Sequence, residues 1–100
     1  MTLEGTFRGK LFQWHGMQGA WFFVYVSDSV SKKIRKAQEG LIKRRGFGAV
    51  RVEVKVGKTT WKTSFFPTKE GPYLLPVKVD VRKKEGLDDG DTVSVGFKTL

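Results

Sequence analysis

One hundred residues, 39% hydrophobic and 13% aromatic, suit one domain with one core and leave no room for a deep enclosed active site on a separate scaffold. The absence of cysteine excludes disulfides, thiolate metal ligands and a cysteine nucleophile. No apolar run approaches the roughly 18 residues that span a bilayer, and MTLEGTFRGKLF lacks the basic-then-apolar pattern of a secretory leader, so a soluble, cytoplasmic protein without membrane contact is expected. The formal net charge of +9 attracts polyanions without specifying which.

Thr2 to Phe12 reads as a first strand, with Leu3, Phe7 and Leu11 on one side. Gln13 to Gly19 is a glycine-bounded loop. Ala20 to Val26 is an apolar run of aromatic and β-branched residues, read as a strand buried on both faces. Ser27 or Asp28 can accept from the free amides of a first helical turn. Val30, Ile34, Ala37 and Leu41 then recur at helical spacing, with Lys32, Lys33, Arg35 and Lys36 on the opposite side and Gly40 as the stop. A basic loop follows to Gly48. Val50, Val52, Val54 and Val56 alternate with polar residues, a half-buried strand. Gly57-Lys58 is a two-residue hairpin turn into a partner strand, Thr59 to Phe66. After the loop Pro67 to Pro72, a strand from Tyr73 to Val79 carries Pro76, which places it at an edge or breaks it. Asp80 caps a helical turn, Val81 to Glu85, closed by Gly86. LDDGD is a tight turn, and Val93, Val95 and Phe97 face inward on the last strand.

The plan strand, helix, strand occurs twice. Placing Gly19 over Gly71 sets Trp21 on Tyr73, Phe22 on Leu74, Phe23 on Leu75 and Asp28 on Asp80, so two related units make up the chain. The expected fold is a mostly β, six-stranded barrel over residues 1–100, with one amphipathic helix, one helical turn and a pseudo-twofold internal repeat.

Two ordered patterns carry a resemblance. One is Gly57-x-x-x-Trp61-x-Thr63-Ser64-Phe65-Phe66-Pro67. The other is Gly71-x-Tyr73-x-x-Pro76-Val77, followed by Val81-Arg82-Lys83 and Gly86-Leu87-x-x-Gly90-Asp91-x-Val93. With Gly19-Ala20-Trp21-x-Phe23-Val24, the chain resembles the domain-of-unknown-function family DUF1905 over nearly its whole length. Where members of that family often carry a proline after the second strand, this chain has Ser27-Asp28. The resemblance implies a double-split β-barrel and no established activity.

Chemistry-bearing motifs are few. Gly57-Lys58-Thr59 lacks the upstream glycine of a phosphate loop, since Val52 holds that position, and a strand follows where a helix is required. His15 is the only histidine and has no cysteine or carboxylate pair beside it. Thr63-Ser64 has no base nearby in sequence. Asp88, Asp89 and Asp91 lack the length and terminal glutamate of a calcium loop. No catalytic residue, metal or cofactor is therefore assigned, which weighs against an enzyme.

The strongest functional signal is the window Lys32 to Arg45. Its seven basic groups, Lys32, Lys33, Arg35, Lys36, Lys43, Arg44 and Arg45, face a single acid, Glu39. It reads as a phosphate-contacting surface or as a merely solvated helix face. The leading expectation is a non-catalytic, monomeric binding module for an anionic partner, nucleic acid among the candidates. The alternatives are a small-ligand or peptide cleft built from Trp61, Thr63, Ser64, Tyr73 and Arg82, with weak catalysis in it, and an interaction domain acting through a barrel edge.

Overall fold

The computed structural model describes residues 3–14, 21–41 and 48–100. Its elements are β1 (Glu4–Trp14), β2 (Trp21–Tyr25), α1 (Asp28–Leu41), β3 (Val50–Val56), β4 (Thr59–Phe65), β5 (Leu74–Pro76), α2 (Val79–Glu85) and β6 (Thr92–Thr99). The strands form one antiparallel sheet in the order β4-β3-β6-β1-β2-β5. The sheet curls until its two outer strands meet. There Phe66 N–H donates to Leu74 O at 2.9 Å and Leu74 N–H donates to Phe66 O at 2.8 Å. The fold is thus the expected mostly β, barrel-like one.

Period-two alternation fills the interior. Val52, Val54 and Val56 of β3 face Val93, Val95 and Phe97 of β6, all of them buried. Phe7, Phe65 and Phe97 meet at the centre, with ring centroids 5.5 to 6.1 Å apart. The Phe65 ring meets the other two edge-on, which suits the quadrupoles of the rings. Burial of each such side chain contributes roughly 1.5–3 kcal/mol.

Both helices start where a strand is pinned. At α1 the Ser27 hydroxyl accepts the Val30 N–H at 3.4 Å and its carbonyl accepts the Ser31 N–H at 2.8 Å, so Ser27 is the cap. Val30 and Ile34 are buried and Ala37 is half-buried, as the apolar stripe requires. The helix passes through Gly40 to Leu41, so Gly40 is not the stop. One interior glycine costs about 1 kcal/mol relative to alanine, too little to end a helix by itself. At α2 the Val77 N–H is fixed to Phe22 O, and Lys78 O accepts from both Val81 and Arg82. The helix therefore begins at Val79, with Asp80 inside the first turn rather than capping it, and ends at Gly86 in the left-handed region. The same pinning leaves β5 only three residues long, shorter than the Tyr73 to Val79 strand expected.

The repeat is present, one residue out of register from the sequence alignment. Each half runs strand, strand, helix, strand, and exchanging the halves (β1 with β4, β2 with β5, β3 with β6) keeps every strand beside an equivalent neighbour. Val24 pairs with Leu75. Val26 N–H donates to Tyr73 O while Val77 N–H donates to Phe22 O, so Phe22 corresponds to Tyr73 and Val26 to Val77. Placing Trp21 over Tyr73 sets an exposed ring on a buried one, because a one-residue slip exchanges the two sides of a strand.

Candidate functional site

The basic helix divides into two kinds of cation. Lys32, Lys33 and Lys36 are exposed on α1. Arg35 is half-buried: its Nη2 donates to Gly71 O at 2.6 Å, and its guanidinium carbon lies 5.6 Å from the Tyr73 ring centroid. Arg35 thus ties α1 to the segment entering β5. Lys43, Arg44, Arg45 and His15 lie outside the described residues.

Of the cleft set Trp61, Thr63, Ser64, Tyr73 and Arg82, the structure brings together three. Trp61, Thr63 and Arg82 line a cleft of about 470 Å³ with Trp21, Phe22, Lys62, Val77 and Lys78. It opens where β5 ends at Pro76, so that β2 and β4 lose the strand between them. Ser64 stands on the other side of β4 from Trp61 and Thr63, buried beside Arg51, whose Nη1 lies 3.5 Å from its hydroxyl. Tyr73 is fully buried, with its N–H donated to the Ser31 hydroxyl at 3.1 Å. Neither lines the cleft. Residue type nominated both; Ser64 instead packs beside Arg51, and Tyr73 is held by Ser31 and Arg35 at the entry to β5.

Arg82 is held in place from two directions. Its Nε donates to Val77 O at 3.2 Å, and its guanidinium carbon sits 3.8 Å from the Phe22 ring centroid. A cation over an aromatic face is attracted by the ring quadrupole. Lys62 and Lys78 add two further cations, and among the described residues no acid lines the cleft.

The second feature corrects the reading of the Ala20 to Val26 strand as buried on both faces. β2 is buried on one side only: Val24 and Val26 enter the core, whereas Trp21 and Tyr25 are 48% and 42% exposed, with Phe23 half-buried between them. β1 extends past Phe12 to Trp14 and adds Phe12 and an exposed Trp14 to the same outer side, opposite Phe23 and Trp21. Phe12 stacks on Tyr25 with centroids 5.0 Å apart and lies 6.2 Å from Phe23, and Trp14 meets Phe23 edge-on at 6.2 Å. Arg8 and Lys10, both exposed, precede them on that side of β1. The row Arg8, Lys10, Phe12, Trp14 is visible in the sequence as alternation, but an end at Phe12 hides its last member. A one-layer sheet leaves an apolar outer side bare where an apolar run by itself suggests two covered faces.

The family model for Domain of unknown function (DUF1905) matches residues 7–96. The chain belongs to this family. The match runs from Phe7 in β1 to Gly96 in β6, so the aromatic side and the cleft both fall within the DUF1905 domain. No curated protein matches the chain.

The remaining motifs of the DUF1905 domain serve the fold. Gly57 has φ 59°, and the Glu85 carboxylate occupies the space beside it. Glu85 accepts the Lys58 N–H at 3.2 Å and the Thr59 hydroxyl at 2.6 Å, so Gly57-Lys58-Thr59 is a hairpin turn bound to the end of α2. Asp88 to Asp91 close their own turn, with Asp88 N–H donating to Asp91 Oδ2 at 2.8 Å, while Asp89 accepts the Gln13 N–H at 3.0 Å. Among the described residues, no three of His, Cys, Asp and Glu are grouped to hold a metal, and no helix is long and apolar enough to cross a membrane.

Proposed function

We propose that this DUF1905 domain is a non-catalytic, single-chain binding module for single-stranded nucleic acid. The observation that carries the reading is the row Arg8, Lys10, Phe12 and Trp14 on β1, lying beside Trp21, Phe23 and Tyr25 on β2. Bases stack on exposed rings in a sequence-tolerant way, and flanking cations hold the phosphates. Lys32, Lys33 and Lys36, exposed in a protein of net charge +9, raise the local concentration of a polyanion. A duplex hides its bases from such a surface, so the aromatic side favours single strands.

The test is fluorescence anisotropy of a labelled single-stranded oligonucleotide against the matching duplex. Single strands bind more tightly, and affinity falls steeply between about 50 and 200 mM salt. Trp14→Ala and Tyr25→Ala each reduce affinity by roughly 5- to 150-fold, since stacking contributes about 1–3 kcal/mol per base. Reversing Lys32, Lys33 and Lys36 to Glu flattens the salt slope. Absence of binding at the lower salt, or full binding by the Trp14 and Tyr25 variants, removes the reading.

A further inference from the structure

We propose that the cleft between β2, β4 and α2 is a separate site for a small anion bearing a flat ring, of the nucleoside monophosphate class. Its walls divide by chemistry: Trp21 and Trp61 supply indole rings, Phe22 backs the Arg82 guanidinium, and Lys62, Lys78 and Arg82 supply three cations with no carboxylate among the described lining residues. Its volume of about 470 Å³ lies within the usual span for small-molecule sites.

Arg82 gives the cleft its direction. Its Nε is committed to Val77 O and its plane to Phe22, so the guanidinium is pre-oriented before a ligand arrives. A planar fork held this way grips a phosphate or carboxylate with little further loss of side-chain freedom. The related cleft of the other half has a different chemistry. There Arg35 donates to Gly71 O, and Asp28 and Glu70 share the lining with Lys32 and Arg35, so two acids offset two cations. The duplicated fold thus has two splits, and only the one at Arg82 lines its cations with indole rings and with no carboxylate among the described residues. This inference does not depend on strand binding to the outer aromatic side, although Trp21 borders both surfaces.

The test titrates the full chain with adenosine 5′-monophosphate and reads tryptophan fluorescence, with adenosine and inorganic phosphate as separate probes. The monophosphate quenches saturably, and each of the two part-ligands binds at least tenfold more weakly. Lys62→Glu, at an exposed position that leaves the core intact, weakens the monophosphate at least tenfold. Arg82→Lys, which keeps the charge and loses the fork, also weakens it. Trp14→Ala, on the outer side and outside the cleft, leaves it unchanged, which separates this site from oligonucleotide binding. No saturable quenching up to about 10 mM, a Lys62→Glu protein that binds normally, or loss of binding in Trp14→Ala each overturns the proposal.

Discussion

Gly9 is the residue whose side of the strand matters most. A Cβ there would lie 2.7 Å from Tyr25 O and 2.8 Å from Val24 Cγ1, so β2 crosses β1 at a distance that only glycine allows. Gly9→Ala therefore forces the two strands apart and lowers stability by about 1–3 kcal/mol, read as a shift in the urea midpoint. Gly48→Ala, which places a methyl in open space, is the control and leaves the midpoint nearly unchanged. Equal midpoints for the two variants would sink the close-approach argument. Ser31 illustrates the same limit on sequence reading. It sits on the apolar side of α1 among Val30 and Ile34, and its buried hydroxyl donates to Val26 O and accepts the Tyr73 N–H, joining β2, α1 and β5. Nothing in the spacing of SVSKK marks a serine for burial, because its two partners lie on different segments.

At the scale of elements, local chemistry was the reliable guide. The valine alternation of β3, the Gly57-Lys58 turn, the Ser27 cap and the Gly86 stop are all decided by neighbours within a few residues, and each occurs where the sequence places it. α1 runs through Gly40 because a single glycine is too weak a stop. Two other ends moved through a contact elsewhere: β5 stops at Pro76 and α2 starts two residues early, because Val77 is bound to Phe22. Glu85 gives a further case, joining the end of α2 to the β3–β4 hairpin. Glu85→Ala leaves the Lys58 amide and the Thr59 hydroxyl to water, at a cost of roughly 0.5–1.5 kcal/mol. Hydrogen exchange at Lys58 should quicken severalfold while exchange in the β1–β6 ladder holds. Unchanged protection at Lys58 would show that the turn stands without α2.

At the scale of the whole molecule, the halves are interlaced rather than side by side. β3 lies between β4 and β6, and β2 lies between β1 and β5, so most neighbours belong to opposite halves. Residues 1–57 retain only the β1–β2 pair when separated from 58–100, and two strands do not stand alone in water. Each fragment alone should lack the near-ultraviolet circular dichroism of packed aromatics, and a 1:1 mixture should recover it. A fragment that folds by itself would contradict the interlaced barrel. The sequence by itself determined the kinds of element, their order, the doubling of the plan and the excess of positive charge, because these follow from period, turn chemistry and composition along the chain. The tertiary structure alone decided the register between the halves, the bare aromatic side of β1 and β2, the burial of Ser64 and Tyr73, and the meeting of Trp61, Thr63 and Arg82 in one cleft. Those outcomes depend on which strand lies beside which, and that is set by contacts between residues far apart in the chain.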